Sequence, residues 1–561
     1  MLLVAGLVAC TQNNSIEPAD LVFLGDHIIT VDATESNPDA VAVRGERIVF
    51  VGSSQSVQPL ISADTRIIKL GESALIPGFI DSHGHVSATA RLMRWVNLSS
   101  PPVGTAESID DVVELLRSRL AENPPADDEW LLGYGYDDSL LEDQSYLTRS
   151  DLDRVSLDIP IYVAHVSGHL GILNSAGLAA QNIDSSTENP PGGVIQRQAD
   201  GEPNGVVEES AAAVIMLTRL GELSGDEYVQ AVRKSLEYYA SYGVTSVQDG
   251  AAPAADIATL REAANAETFI SDISAYQWTP VNNTEAIESA HYDESYSGGF
   301  RVAGVKFALD GSPQGRTAWI TEPYTEGPHN APADYVAYPT VDPDDYHAAA
   351  TAVIRREIPM IVHANGDAAI GLMLAGIESA LADGVERDHR SVAIHAQLMR
   401  DDQLDDAARL GVVPSFFSSH TFFWGDWHLR SFGEVRGNNI SPTRSAIDRK
   451  VHFTIHNDTP VVPPDMMRLL WATVARTTRS GNVIGSKQRL SVDEALHAAT
   501  LGGAYQLFEE DNKGSITVGK QADLVILSHN PRLVDPGAIE DIAIEETFAR
   551  GISIHNRRQD Q

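Results

Sequence analysis

The stretch Leu75–Val86, LIPGFIDSHGHV, decides the fold and the chemistry expected of this chain. It opens as an apolar run typical of a strand and ends on His83-Gly84-His85. In a strand, side chains two residues apart share a face, so His83 and His85 would point the same way, with Gly84 leaving room beside them. Two imidazoles on one side of a strand end make half of a metal site. Taken alone, the pair also fits a chance occurrence on a loop.

Composition and charge narrow the class of protein. The chain has 561 residues, too many for one compact core, which predicts two domains or one large domain with insertions. The net charge of −38 excludes nucleic acid and anionic membrane surfaces as natural partners, because like charges repel. No apolar run reaches the roughly 18 residues that a membrane span needs. The single cysteine, Cys10, excludes a disulfide framework and a cysteine-based zinc site.

The N-terminus resembles a bacterial lipoprotein signal. An apolar run, Leu2–Ala9, leads into Cys10, and a polar, loop-like segment follows. In such a signal Cys10 would be lipidated, which predicts a tether over residues 1–18, a lipid anchor as the only membrane contact, and a place in the bacterial periplasm or outer membrane. The departure is that no Lys or Arg precedes the apolar run, as though the true start lay upstream. The alternative is a frayed apolar tail with an inert thiol on a cytoplasmic protein.

Apolar runs of strand length recur along the middle of the chain and alternate with helix-like segments. After the first strand, at about 79–86, the predicted strands are 243–249, 269–276, 301–309, 359–365, 391–396, 411–418 and 452–458. Eight strands alternating with helices predict an α/β fold with a parallel sheet, and eight is the number that closes a (β/α)8 TIM barrel. The surplus length predicts a large insertion after strand one, at about 87–225, within a barrel over 75–508. Short strands at 19–74 and 509–561 predict a small composite β-sandwich domain built from both termini.

Polar residues collect at the C-terminal ends of the predicted strands, where barrels carry their reactive groups. They are His83, His85, Lys306, His363, His395 and Asp458. Neutral imidazoles bind a borderline cation such as zinc, and a carboxylate beside the cation can take a proton from water. Singly, the histidines could be packed core residues and Asp458 a helix N-cap. Together, in strand order, they favour a metal-dependent hydrolase.

The same residues carry a resemblance to a known family. PGFIDSHGHV, GVKFALDGSPQGRTAW, VHANGDAAI, AIHAQL, SFFSSHTFFWGDWH, HNDTPVVPPD and GSITVGKQADLVIL resemble the amidohydrolase superfamily, specifically its family 3, which includes N-substituted formamide deformylases. The resemblance extends from about residue 19 to 556. It implies a (β/α)8 barrel, a β-domain from both termini, and one or two divalent metal ions, usually zinc.

Carried over by position, the resemblance assigns the metal ligands. His83 and His85 would hold the more buried ion with Asp458, and His363 and His395 would hold the second. Lys306 would bridge the two if carbamylated, because a carbamate is an anion with two oxygens, whereas a free ammonium cannot ligate a cation; the alternative for Lys306 is an ion pair with a nearby Asp. Asp458 is the expected general base and later the acid that protonates the leaving amine.

Other polar residues could line the pocket and orient a substrate, or could simply pack. The candidates for substrate binding are Arg316, His420, His428 and His169, whereas packing is favoured for His165 and Trp424. His456 shares the face of Asp458 if the strand is regular, as a hydrogen-bond partner or as a packed residue. Asp81 and Asp367 are expected to support the site or its turns.

The sequence thus predicts a metal-dependent hydrolase of a non-peptide carbon–nitrogen bond in an amide, an N-substituted formamide or a cyclic amide. Two alternatives stay open: the same chemistry on an ester, lactone or carbamate, and a surface lipoprotein that binds a ligand without catalysis. The expected partner is a small-molecule substrate, and a homodimer is left open.

Overall fold

The computed structural model describes residues 17–32, 37–126, 129–142, 144–221, 223–328, 331–384 and 386–557. Cys10 and most of the predicted tether lie outside these ranges. In the described part of the chain, none of the helices has both the length and the hydropathy of a membrane span.

The strands follow one another along the whole chain. In order they are β1 (Leu21–Leu24), β2 (Ala40–Arg44), β3 (Arg47–Gly52), β4 (Arg66–Lys69), β5 (Ala74–Pro77), β6 (Phe79–Ile80), β7 (Val96–Asn97), β8 (Leu131–Tyr136), β9 (Ile161–His165), β10 (Leu170–Leu173), β11 (Gly193–Arg197), β12 (Pro203–Glu209), β13 (Val244–Ala252), β14 (Asp272–Trp278), β15 (Phe300–Ala308), β16 (Met360–Ala364), β17 (Val392–His395), β18 (Val413–Phe416), β19 (Thr454–Ile455), β20 (Leu524–Leu527), β21 (Ile544–Ala549) and β22 (Ile552–Asn556).

The helices fill the connections. They are α1 (Val86–Leu92), α2 (Ile109–Glu122), α3 (Arg149–Asp153), α4 (Ser175–Ala180), α5 (Ser210–Gly221), α6 (Gly225–Ala240), α7 (Ala254–Ala266), α8 (Thr284–Ser289), α9 (Pro343–Arg355), α10 (Asp367–Leu381), α11 (Asp401–Leu410), α12 (His420–Phe423), α13 (Gly425–Gly437), α14 (Thr443–Asp448), α15 (Met466–Ala475), α16 (Val492–Ala499) and α17 (Leu501–Gln506).

Local sequence signals set several helix ends. The Asp342 side chain accepts a hydrogen bond from the Asp344 N–H, and Pro343 occupies the first position of α9, where its missing N–H costs nothing. Helix α11 ends at Gly411, whose φ is +75°, a conformation that glycine adopts without a Cβ clash. These signals place helices between consecutive barrel strands.

The central sheet is a curled, all-parallel sheet of eight strands in the order β6, β13, β14, β15, β16, β17, β18 and β19. Each strand lies within or overlaps one of the eight predicted runs, so the prediction of a TIM-like barrel is confirmed. Helices α6, α7, α9, α10 and α11 pack their apolar faces on the outside of the sheet and share one hydrophobic core with it.

The first strand is shorter than predicted, and this changes the account of the histidine pair. Strand β6 ends at Ile80, and His83 and His85 lie on the loop that leads into α1. The prediction that they share a strand face is therefore wrong in its geometry. Their rings are nevertheless neighbours, with centroids 5.0 Å apart.

Two further groups of strands surround the barrel. Between α1 and α6, a six-stranded sheet in the order β11, β12, β10, β9, β8 and β7 has its own apolar core. At the chain ends lie two four-stranded sheets, β3-β2-β1-β4 and β22-β21-β20-β5. Strand β5 pairs antiparallel with β20, and residues from both ends of the chain, such as Phe23 and Phe548, share one core.

Candidate metal centre and active site

The polar residues predicted at the strand ends meet at one rim of the barrel. Lys306, His363 and His395 lie on β15, β16 and β17, and the loops after β6 and β19 bring the remaining ligand candidates, His83, His85 and Asp458. A cavity of about 760 Å³ opens beside them, lined by all but His83 among these six residues.

His83, His85 and Asp458 form a compact group of three ligand atoms. The Oδ1 atom of Asp458 lies 3.2 Å from Nε2 of His85 and 3.6 Å from Nε2 of His83. This oxygen is buried, and among the described residues it has no hydrogen-bond partner. A buried carboxylate oxygen without a donor is costly unless a cation satisfies it, so this group fits a metal ion.

The hydrogen bond between Nδ1 of His83 and Gln248 places the lone pair of the ring on Nε2, the atom that could bind a metal. Its Nδ1 lies 2.8 Å from Oε1 of Gln248, whose own amide nitrogen donates to the Ser82 carbonyl. Because an amide oxygen can only accept, Nδ1 of His83 carries the proton and Nε2 carries the lone pair. Complete burial lowers the pKa of His83 well below its ordinary value, which keeps the ring neutral.

His363 and His395 form a second pair of potential ligands. Nε2 of His363 donates to the Gly311 carbonyl at 3.0 Å, so its Nδ1 carries a lone pair. That Nδ1 lies 3.1 Å from Nε2 of His395. Burial lowers the pKa of both rings well below the ordinary value. Two neutral imidazoles facing each other in this way fit a shared cation when His395 donates its proton from Nδ1.

His456 lies behind His395. Its Nε2 is 3.1 Å from Nδ1 of His395, and its Nδ1 is 2.8 Å from the Ser415 hydroxyl. Of the two readings left open by the sequence, the structure supports the hydrogen-bond partner. Accepting the His395 proton at this position would leave Nε2 of His395 free for a metal.

Lys306 is buried between the two groups. Its Nζ lies 3.1 Å from Nε2 of His83, and none of the ion pairs among the described residues involves it. The alternative of an ion pair with an aspartate is therefore not observed. Burial lowers the pKa of this ammonium to about 7.

Two of the ligand candidates hold a left-handed backbone. The φ angle is +71° at His395 and +57° at Asp458, a region that costs non-glycine residues energy. In β17, Ile394 faces the barrel interior, so regular alternation would turn the next side chain outward. The turn at His395 brings its imidazole back to the rim.

A second group of His and Asp residues lies nearby but is internally satisfied. The Ser167 N–H donates to Nδ1 of His165, so the ring proton sits on Nε2, which faces Oδ1 of Asp138 at 3.3 Å. One oxygen of Asp137 accepts from the Trp424 indole at 2.7 Å. These partners indicate a polar cluster held by its own hydrogen bonds. His165 also lines the cavity, whereas Trp424 packs beside it without lining the cavity.

The residues predicted to bind substrate fall into two groups. His169 and His420 line the cavity, whereas His428 and Arg316 do not. His169 is held by Glu209, whose Oε2 lies 2.8 Å from Nδ1, and His420 is held by His428, with Nδ1 and Nε2 2.8 Å apart.

The guanidinium of Arg316 is fully engaged away from the cavity. It donates to Glu326 at 2.7 Å, to the Gly327 carbonyl at 2.8 Å and to the Ser431 hydroxyl at 3.1 Å. It also stacks over Trp427, with 4.0 Å between the guanidinium carbon and the ring centroid. These contacts give Arg316 a structural part in joining the loop after β15 to α13.

Supporting residues divide into expected and missed ones. Asp367 begins α10 and pairs with Arg400 at 2.6 Å, in agreement with a turn role. Asp81 is buried beside the centre, and burial raises its pKa well above the ordinary value.

Sequence reasoning missed Gln248 and Glu209. The signal for Gln248 was a long amide side chain near the C-terminal end of the predicted strand GVTSVQD, whereas Glu209 becomes relevant only through its contact with His169.

Comparison with known proteins supports the reading of this centre. The family model described as "Amidohydrolase family" matches residues 66–555, which confirms the resemblance seen in the motifs. The N-substituted formamide deformylase of Arthrobacter pascens is 26% identical over 560 residues, covering 96% of this chain and 98% of that protein.

Solved structures show the same fold. An uncharacterized metal-dependent hydrolase from Pyrococcus horikoshii OT3 aligns with a TM-score of 0.71 at 21% identity, over 92% of this chain and 99% of that one. A second one, from Pyrococcus furiosus, gives 0.69 at 23% identity over the same shares. With its ligand groups at the barrel rim, the protein is a metal-dependent hydrolase that uses a divalent ion. Since the family model spans nearly the whole sequence, the chain belongs to the amidohydrolase family.

Proposed function

We propose that this hydrolase cleaves a non-peptide carbon–nitrogen bond in a small-molecule amide, such as an N-substituted formamide or a cyclic amide. The observation that carries the proposal is the buried Oδ1 of Asp458, which lies beside Nε2 of His85 and His83 and has no hydrogen-bond partner in the described part of the chain. A carboxylate in this position can ligate a cation and also exchange a proton with water. The full-length similarity to an N-substituted formamide deformylase supports the choice of an amide bond.

The proposed reaction consumes water and releases an acid and an amine. A divalent ion held by these side chains supplies a Lewis acid that acidifies water and polarises a carbonyl. Asp458 takes one proton from the attacking water as the new C–O bond forms. It returns that proton to the nitrogen as the C–N bond breaks, so the carboxylate is regenerated and the proton count balances.

We propose zinc as the ion, in one or two positions, because neutral imidazoles with a carboxylate suit a borderline cation. His83, His85 and Asp458 would hold one ion, and His363 and His395 the second. Lys306 would join them as a carbamate, formed when neutral Nζ bonds to the carbon of carbon dioxide and loses a proton. Its burial against His83 supports this role. Metal analysis and anomalous scattering give identity and count, and a mass gain of one carbon dioxide on Lys306 tests the carbamate.

The proposal is tested with the purified, metal-loaded protein on a panel of amides, formamides, esters, lactones and carbamates. We expect Asp458→Asn to lower kcat/KM by at least about 100-fold, the usual share of a general base. Asp367→Asn is the matched control, because Asp367 lies on the same rim but pairs with Arg400. Cleavage of C–O bonds alone would reject the amide, full activity of metal-free protein would reject the mechanism, and bound metal without any turnover would favour a ligand-binding protein.

We also propose that the protein is a lipoprotein of the periplasm or outer membrane, anchored at Cys10. The support is the sequence pattern of residues 1–18, followed by a β-domain proposed to combine 19–74 with 509–561 and by a barrel with its insertion at about 87–225. The shared core of Phe23 and Phe548 supports the combined domain. Labelling with an iodoacetamide probe of protein made in its native host tests the anchor, since a freely reactive Cys10 thiol contradicts it.

A further inference from the structure

The cavity beside the metal centre has a second, apolar wall. Helix α5 and its neighbours provide it with the side chains of Leu92, Ala213, Met216, Leu217, Leu220 and Trp278. The same cavity is lined by His85, His363 and Asp458, so the apolar wall and the candidate ligands share one space. A volume of about 760 Å³ is within the range of cavities that enclose a drug-sized ligand, far more than a small formamide fills.

Away from the candidate metal centre, the described residues that line the cavity offer a charged substrate no unpaired guanidinium or ammonium group. Among the described lining residues, the guanidinium and ammonium groups belong to Arg91 and Lys306. Both terminal nitrogens of Arg91 are bound by Asp256, at 2.8 and 2.9 Å, and Lys306 lies against His83. With the scissile amide at the metal centre, a carboxylate seated along the apolar wall would lose its water without gaining a counter-ion, which is unfavourable.

Helix α5 presents one face to the protein and another to the cavity. Ala212 and Ile215 are buried in the core of the sheet that contains β9 and β12. Leu217 lines the cavity, yet 57% of its surface is exposed. An apolar side chain left open beside a catalytic centre is a surface that an apolar group of the substrate can cover.

We infer that the substrate carries an uncharged, apolar substituent of several carbons, seated against α5, and that Met216 and Leu217 set the preference for its size. This rests on the proposed function, since it places the scissile amide at the metal centre and the substituent on the nitrogen along the wall. Carboxylate-bearing amides, such as N-acyl amino acids, are excluded from the preferred substrates by the same arrangement.

Straight-chain N-alkyl formamides, from methyl to octyl, test the inference on the full-length, metal-loaded enzyme. We expect kcat/KM to rise with chain length, by at most about fourfold per methylene, and to be at least about 100-fold lower for N-(carboxyalkyl) formamides of matched length. Leu217→Asp should lower kcat/KM for the octyl compound by at least about tenfold and leave the methyl compound within about twofold. Val214→Asp is the matched control, since Val214 is 65% exposed on the same helix but does not line the cavity.

The outcomes separate this inference from the proposed function. A flat dependence on chain length, equal effects of the two α5 variants, or a preference for the carboxylates overturns the inference while leaving amide hydrolysis intact. If no formamide or other amide is cleaved, the proposed function fails. Calorimetric binding of the same formamides then decides the inference by itself: affinity that increases with chain length in the wild type, but not in Leu217→Asp, supports it.

Discussion

Gly250 lies on β13 beside His83. We expect a methyl group added at this position to lower the affinity of the centre for its metal ion. A Cβ added there would lie 2.3 Å from Cε1 and 2.7 Å from Nδ1 of His83, and 3.0 Å from the Gly84 carbonyl oxygen. The backbone of Gly250 is not left-handed, so alanine brings no conformational strain of its own. Gly250→Ala therefore acts chiefly on the space occupied by the His83 ring, and to a lesser extent on the neighbouring Gly84 carbonyl oxygen.

The size of the effect follows from these distances. Carbon atoms in contact stay about 3.5 Å apart, so Cε1 of His83 must move by about 1.2 Å. Metal–ligand distances tolerate only about 0.2 Å, and the shift also breaks the hydrogen bond from Nδ1 to Gln248. Loss of such a supporting contact alone usually costs about 10- to 100-fold in metal affinity. We expect at least this loss in Gly250→Ala, with a cost of about 1–3 kcal/mol in stability from overpacking.

The assay is a competition for zinc between the protein and a chromophoric chelator, with circular dichroism as the check on folding. Gly371→Ala is the control, because its added Cβ would meet only Nε2 of Gln403, at an ordinary 3.6 Å. Its position inside α10 favours alanine, so metal affinity and activity should be unchanged and stability slightly higher. A folded Gly250→Ala protein that binds zinc within about twofold of the wild type would show that His83 is not a ligand.

Three further predictions concern the same neighbourhood. Gln248→Leu removes the acceptor for the His83 proton and should weaken zinc binding by about 10- to 100-fold, measured by chelator competition; unchanged affinity would refute the orienting role. Chelation should abolish hydrolysis and lower the Tm, because the Asp458 carboxylate and the neighbouring imidazoles lose the cation that binds them. Added zinc should restore both the activity and the Tm. An unchanged Tm after chelation would contradict this account. Asp256→Leu leaves the Arg91 guanidinium buried and unpaired, which should cost about 3–5 kcal/mol in urea unfolding, while a loss below about 1 kcal/mol would show that the pair is replaceable.

Most of the fold could be predicted from the sequence, because segments with strand periodicity alternate clearly with segments with helix periodicity. The run RVAGVKFAL covers all but the first residue of β15, and PMIVHAN contains β16, each with its polar residue at the rim. Boundaries were less accessible at the first and last strands. The run at 452–458 predicts a strand to Asp458, but β19 ends at Ile455, three residues before the left-handed backbone at Asp458.

Most candidate ligands could also be predicted from strand periodicity. The residues that orient these ligands could not. His363 lies two residues after Ile361, which faces the barrel interior, so alternation alone turns it inward. His395 contradicts alternation and depends on a left-handed φ that the sequence does not announce. Gln248 and Glu209 act through contacts with residues more than 30 positions away, which no local pattern contains.

The ligand loops also join the first and last strands of the barrel. In the described structure β6 and β19 are the ends of the parallel sheet, and both are only two residues long. The contact between them comes from the loops: the Asp458 N–H donates to the His83 carbonyl at 3.1 Å, and the His85 N–H donates to the Thr459 carbonyl at 2.7 Å. An ion held by the three side chains would draw together the same backbone segments that complete the rim. Stability of this rim and affinity for the ion should therefore rise and fall together, because a ligand that binds only the folded state stabilises it.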